Sequence, residues 1–139
     1  MKKLFVIGLL VILACVATSI VWADATNELA RGKELFGTGS FDQAIACFNK
    51  ILTDYPGSAP ATEVNYWLGF CYGGKNDTDQ ALKCFIKHIT NYPSHYKNTR
   101  AISEIAQIYQ GRKEYDKVIT WFNKMLSQYP DHATEAYLG

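Results

Sequence analysis

Proline is scarce in this chain, with four among 139 residues. A proline inside a helix removes a hydrogen bond and clashes with the preceding turn, so so few of them leave room for long helices. Three of the four, Pro56, Pro93 and Pro130, sit at matching places, so the breaks are regular. Charge of one sign is also missing. Net charge is formally +1 and no Lys/Arg cluster occurs. Phosphate backbones need several convergent cations, which argues against a nucleic-acid partner. The same lack argues against a polybasic membrane-surface mode. Catalytic signatures are absent as well: there is no phosphate loop, no G-x-S-x-G, no H-E-x-x-H and no C-x-x-C. His88, His95 and His132 are scattered, without the Cys/His spacing of a metal site. These gaps point to a binding protein and not an enzyme, with no cofactor and no metal.

What is present is an ordinary globular composition, 48% apolar and 19% charged. The first 23 residues, MKKLFVIGLLVILACVATSIVWA, stand apart. Lys2 and Lys3 precede an apolar run that ends on Val21-Trp22-Ala23, the layout of a secretory signal peptide cleaved before Asp24. Two other readings stay open. Ile12-Leu13-Ala14-Cys15 resembles a lipobox, in which Cys15 is lipidated. Leu4–Ala23 is long enough to act as an uncleaved membrane anchor. All three place residues 24–139 outside the cytoplasm, in the periplasm or cell envelope, with membrane contact only through the N-terminal segment. Without Lys2 and Lys3, 12 basic residues face 13 acidic ones.

The dominant signal is internal repetition. Tyr55-Pro56, Tyr92-Pro93 and Tyr129-Pro130 recur at a step of 37. The same step relates Ala44, Ala81 and Val118; Ile45, Leu82 and Ile119; and Phe48, Phe85 and Phe122. It also relates Gly32, Gly69 and Ala106, and Leu35, Tyr72 and Tyr109. A fixed period of this size means stacked supersecondary units, and about three are needed to bury a shared core. Each unit reads as two helices. Residues 60–74 open with Pro60 and close on Gly73-Gly74. A second helix over about 78–91 carries Leu82, Phe85, Ile86 and Ile89 on one face and ends at Tyr92-Pro93. By register the other helices fall at about 25–37, 41–54, 97–111 and 115–128, with residues 131–138 as a short final cap. The small residues at 32, 69 and 106 imply a close helix crossing, with Ala44 and Ala81 facing it. The phenylalanines are expected to fill the wedge between one helix pair and the next.

At this point the pattern resembles the tetratricopeptide family. Trp67-Leu68-Gly69-x-x-Tyr72 is followed by Ala81, Phe85 and Pro93, and the likeness covers residues 25–130. The period is 37 and not 34, and Val118, His88 and Met125 replace small residues, so the third unit departs furthest. The long period and Tyr66-Trp67-Leu68-Gly69 are similar to Gram-negative envelope proteins of the Tol–Pal-associated and outer-membrane-assembly lipoprotein type. The resemblance implies an all-α solenoid of three helix-turn-helix repeats, at about 25–59, 60–96 and 97–133, plus a C-terminal cap. It implies a scaffold that holds another protein or peptide segment in a concave groove. The family register puts Leu29, Lys33 and Phe36 there from the first unit, Glu63, Tyr66 and Phe70 from the second, and Arg100, Ser103, Gln107 and Gln110 from the third. Tyrosine and phenylalanine suit anchoring of a partner segment. The bland alternative is that Tyr66 and Phe70 pack repeat against repeat.

A second class of function is self-association, with two chains stacked end to end over the apolar end left after the last helix. Beyond the leader, Cys47, Cys71 and Cys84 are an odd number. Cys47 and Cys84 are repeat equivalents, read as small buried hydrophobes. A disulfide involving Cys71 is the alternative in an exported chain. The Asn76-Asp77-Thr78 sequon is read as without consequence.

Overall fold

The computed structural model describes residues 23–129. The three leader readings, the lipobox at Cys15 and the cap at 131–138 lie outside the described residues, Ala23 apart. Within them are six helices and no strand: α1 over residues 23–37, α2 Phe41–Asp54, α3 Ala59–Gly74, α4 Thr78–Asn91, α5 Asn98–Gly111 and α6 Tyr115–Gln128. Each boundary falls within about two residues of its sequence expectation, the usual scatter at helix ends. The fold is all-α and tetratricopeptide-like.

The chain divides into two compact units, one ending at Val64 and the other beginning at Asn65. In the first, α2 buries Ala44, Cys47, Phe48 and Ile51, a 3-and-4 spacing that places them on one face. The second has a core of Tyr66, Ala81, Leu82, Phe85, Ile89, Ala101, Ile102, Ile105 and Met125. In the first two hairpins the glycine seats the phenylalanine of the same hairpin. A Cβ on Gly32 would lie 2.5 Å from the Phe48 ring, and one on Gly69 would lie 2.5 Å from the Phe85 ring. The nearest neighbour of each glycine is thus the phenylalanine, beside the buried Ala44 and Ala81 of the same helices. In the third hairpin Ala106 carries that Cβ, and Phe122 is only half-buried.

The turn inside each hairpin is built the same way three times. Gly39, Asn76 and Lys113, spaced by 37, all have positive φ, at 76°, 61° and 61°. The Asn76 N–H donates to the Gly73 carbonyl and the Asp77 N–H to the Tyr72 carbonyl, each at 2.9 Å. Gly39 and Ser40 bond back to Phe36 and Leu35 in the same pattern, and Lys113 and Glu114 to Gln110 and Tyr109. This is the Schellman arrangement, which satisfies the last carbonyls of a helix through a left-handed residue. The chain therefore reverses at Asn76, two residues beyond the Gly73-Gly74 pair. The following residue caps the next helix, but only Asp77 does so with its side chain, accepting from the Gln80 N–H at 3.1 Å. Lys113 is the costly member, because a left-handed conformation costs a Cβ-bearing residue about 1–2 kcal/mol. Lys113→Gly is expected to raise stability by about 0.5–1 kcal/mol, the relief exceeding glycine's extra unfolded-state entropy. Urea denaturation checks this, and a lower midpoint would show that the turn is not strained.

The recurring Tyr-Pro ends the second helix of each pair. The N–H groups of Tyr55, Tyr92 and Tyr129 donate to Ile51, His88 and Met125. In the second unit this motif also ties successive hairpins. Buried Asn98 donates to the Tyr92 carbonyl at 2.7 Å and to the Tyr129 hydroxyl at 2.8 Å, and that hydroxyl donates to the Pro93 carbonyl.

Candidate functional site

The ten expected contact residues divide between the units. In the first, Leu29 is 8% exposed. It is a packing residue and not the surface anchor expected from the register, because its place on α1 turns it inward. Lys33 forms an ion pair with Glu63 at 3.1 Å, so these two expected contact residues engage each other. Half-buried Phe36 lies against Phe41, with ring centroids 5.8 Å apart.

In the second unit, Tyr66 is 9% exposed and belongs to the core. Its ring meets Phe70 edge-on at 4.9 Å and also contacts Trp67, Phe85 and His88. Tyr66 is therefore a packing residue, which α3 directs into the core. Phe70 is half-buried, edge-on to Phe85 at 5.1 Å. The α5 residues Arg100, Ser103, Gln107 and Gln110 follow a 3-4-3 spacing and so share one face. Arg100, Gln107 and Gln110 are exposed, and Ser103 is half-buried with its hydroxyl donating to the Thr99 carbonyl. Arg100 pairs with Glu104 at 2.7 Å and lies 5.9 Å from the centre of the Phe70 ring.

Next to Arg100 is a group the register did not single out. The Lys97 ammonium is 5.2 Å from the ring centres of both Tyr66 and Trp67, and 5.4 Å from that of Tyr96. Tyr96 is 74% exposed and stacks on His95, with centroids 4.7 Å apart. A cation over an aromatic face is held electrostatically by the ring quadrupole. Two cations, Lys97 and Arg100, thus rest on a bed of rings at the start of α5, where the helix dipole adds positive potential. No sequence signal marks this group, because Trp67 and Lys97 are 30 positions apart and meet only when α3 and α5 are both folded.

The thiols are chemically quiet. Cys47, Cys71 and Cys84 are free. Burial, with a smaller contribution from neighbouring Cys84, pushes the Cys71 thiol up to about 12. Burial pushes Cys84 up to about 11. Cys47 is also raised, first by burial and then by Glu28. A thiol is nucleophilic as its thiolate, so these shifts make all three poor nucleophiles near neutral pH. Among the described residues, no three His, Cys, Asp or Glu side chains converge as a metal site would require.

Comparison with protein families gives a match to the tetratricopeptide repeat, over residues 29–58 and 63–95. No curated protein matches the chain. The first matched segment takes in most of α1 and all of α2, and the second most of α3 and all of α4. The α5–α6 hairpin repeats their plan outside the matched range, with the alanine at 106 and the valine at 118 that set it apart. Sequence match and hairpin geometry agree on an all-α, tetratricopeptide-like fold.

Proposed function

We propose that this protein is a scaffold of the bacterial cell envelope that holds a segment of another protein. Tetratricopeptide repeats generally mediate protein–protein interaction, and that coarse role follows from the family match. The envelope location is supported by the signal-like residues 1–23. The narrower kinship with Tol–Pal-associated and outer-membrane-assembly proteins is supported by the 37-residue period and Tyr66-Trp67-Leu68-Gly69.

One observation carries the binding surface: Lys97 and Arg100 lie over the rings of Trp67, Tyr96 and Phe70. One exposed ring, Tyr96, and two half-buried ones, with cations over them, suit a segment that brings apolar side chains and an acidic group. The face continues along α5 through Ser103, Gln107 and Gln110, which offer polar contacts at a rim. Glu104, now on Arg100, would give way to the partner's carboxylate. Truncating an anchor of this type typically costs about 2 kcal/mol, near thirtyfold in affinity.

Affinity capture from envelope extracts tests the proposal. Wild-type protein is expected to retain a partner that elutes with added salt, and the Arg100→Glu, Tyr96→Ala double variant to lose it with an unchanged circular dichroism spectrum. Equal capture by the folded double variant would reject this face. N-terminal sequencing tests the location, since each leader reading leaves a different first residue.

Self-association is a second reading, favoured by exposed apolar residues on α6.

A further inference from the structure

The repeat offers an internal comparison at one core position of each second helix. Ile51, His88 and Met125 stand one step of 37 apart and are all fully buried. Two are apolar, as a closed core asks, and the middle one is an imidazole. Its ring centre lies 5.6 Å from that of Tyr66 on α3, 5.8 Å from that of Tyr92, and 4.8 Å, edge-on, from that of His95. His95 in turn holds the start of α5. Its Nδ1 accepts the Lys97 N–H at 3.2 Å, and its ring stacks on Tyr96. The Lys97 ammonium rests over both Tyr66 and Tyr96. The two imidazoles therefore touch each other and two of the rings that carry the Lys97 charge.

We infer that His88 and His95 make this face sensitive to acid: protonation of the pair loosens the start of α5 and releases a bound segment. The claim rests on the proposed binding face and adds its regulation. Both positions require a neutral ring. A proton on His88 would set a charge away from water, which burial disfavours. A proton on His95 Nδ1 would remove the lone pair that accepts the Lys97 N–H. Like charge adds to both costs, since Lys97 is already a cation and each ring, once protonated, becomes another beside its neighbour. The remaining groups around the pair are Tyr66 from α3 and Tyr92 from the linker, while α6 gives Met125 to the same core. Lys87, next to His88 on α4, is exposed. The carboxylates of α3 and α5, Glu63 and Glu104, are paired with Lys33 and Arg100. Histidine ordinarily changes charge near pH 6.5, in mild acid. An opened chain takes up protons that the closed core excludes, so closure weakens as pH falls below about 6.5 and is indifferent to pH above it.

Urea denaturation of the full chain, in steps from about pH 8 to about pH 5, is the test, with His88→Met and His95→Ser beside wild type. The repeat itself supplies both substitutes: Met125 and Ser58 hold the equivalent places and are buried there. Ser58 even repeats the local bond, its N–H donating to the Tyr55 carbonyl as that of His95 does to Tyr92. The folding equilibrium constant of wild type is expected to fall in acid, towards tenfold per pH unit for each proton taken up. Each variant should remove one proton's share of that slope and match wild type at pH 8. An unchanged slope in either variant overturns the inference. Imidazole nitrogen shifts in wild type give a readout that does not depend on the variants folding. The His88 ring is expected to stay neutral for as long as the chain is folded, and a His88 that charges in the folded chain overturns the inference. The functional arm uses the protein that wild type captures from envelope extracts and the Arg100→Glu, Tyr96→Ala variant does not. It should elute from wild type at about pH 5.5 and stay on the variant carrying both histidine substitutions. Retention by wild type at that pH defeats the acid response and leaves the binding face standing. Capture that fails at every pH defeats the binding face, and with it the release of a segment, while the urea slopes still decide whether the histidines govern closure.

Discussion

Replacing Tyr66 by alanine is expected to destabilise the protein by about 3–5 kcal/mol, the range for removing a large aromatic side chain from a core. The ring is 9% exposed and meets Phe70, Trp67, Phe85 and His88. Its loss removes buried apolar area, leaves a cavity between α3 and α4, and deletes edge-to-face contacts that add to area burial. It also takes away one of three rings around Lys97. Gln107→Ala, on the exposed face of α5, should change stability by less than about 0.5 kcal/mol, as surface substitutions usually do. Urea denaturation of the two variants gives the comparison. A loss below about 1 kcal/mol for Tyr66→Ala would return Tyr66 to the surface as a binding residue.

Gly69→Leu is expected to cost about 1–3 kcal/mol or more through overpacking. Even a single Cβ there would come within 2.5 Å of the Phe85 ring, which is 2% exposed and has little room to yield. Gly73 lies four residues further along the same helix and is a matched control, since a Cβ on it meets nothing within 4 Å. Gly73→Leu should stabilise by about 0.5–1 kcal/mol, the ordinary gain on replacing glycine inside a helix. Opposite signs at the two glycines would show that contact with Phe85, and not helix propensity, keeps glycine at 69. Thermal or urea midpoints suffice. If both substitutions stabilise, the Gly69–Phe85 contact is looser than drawn.

The helices were legible in the sequence because their signals are local. Tyr-Pro ends α2 and α4 whatever surrounds them, and the 3-and-4 spacing of Ala44, Phe48 and Ile51 marks a buried face by itself. The close approach at Gly32 and Gly69 was legible as well, although its partner was not. A small residue announces that something comes near, without naming Phe48 or Phe85. The candidate site was harder to read. Leu29 and Tyr66 are apolar residues on the first helices of their hairpins, and the family register placed them in a groove, whereas packing draws both inward. Lys97, Tyr96 and Trp67 carry no mutual signal, because they come from a helix start, a linker and another helix.

The sequence alone determined an all-α, tetratricopeptide-like chain, its period of 37 and its six helix positions among the described residues. These depend on backbone chemistry within a few residues and on periodicity along one face. Tertiary structure decided which of the equivalent residues are exposed. Leu82 and Ile119 hold the same place in the repeat, yet one is 7% exposed and the other 59%. Ile89 and Leu126 differ in the same way, at 2% and 43%. Periodicity states which face a helix can bury, but burial itself needs a neighbour, and α4 has α5 beside it whereas no described helix follows α6.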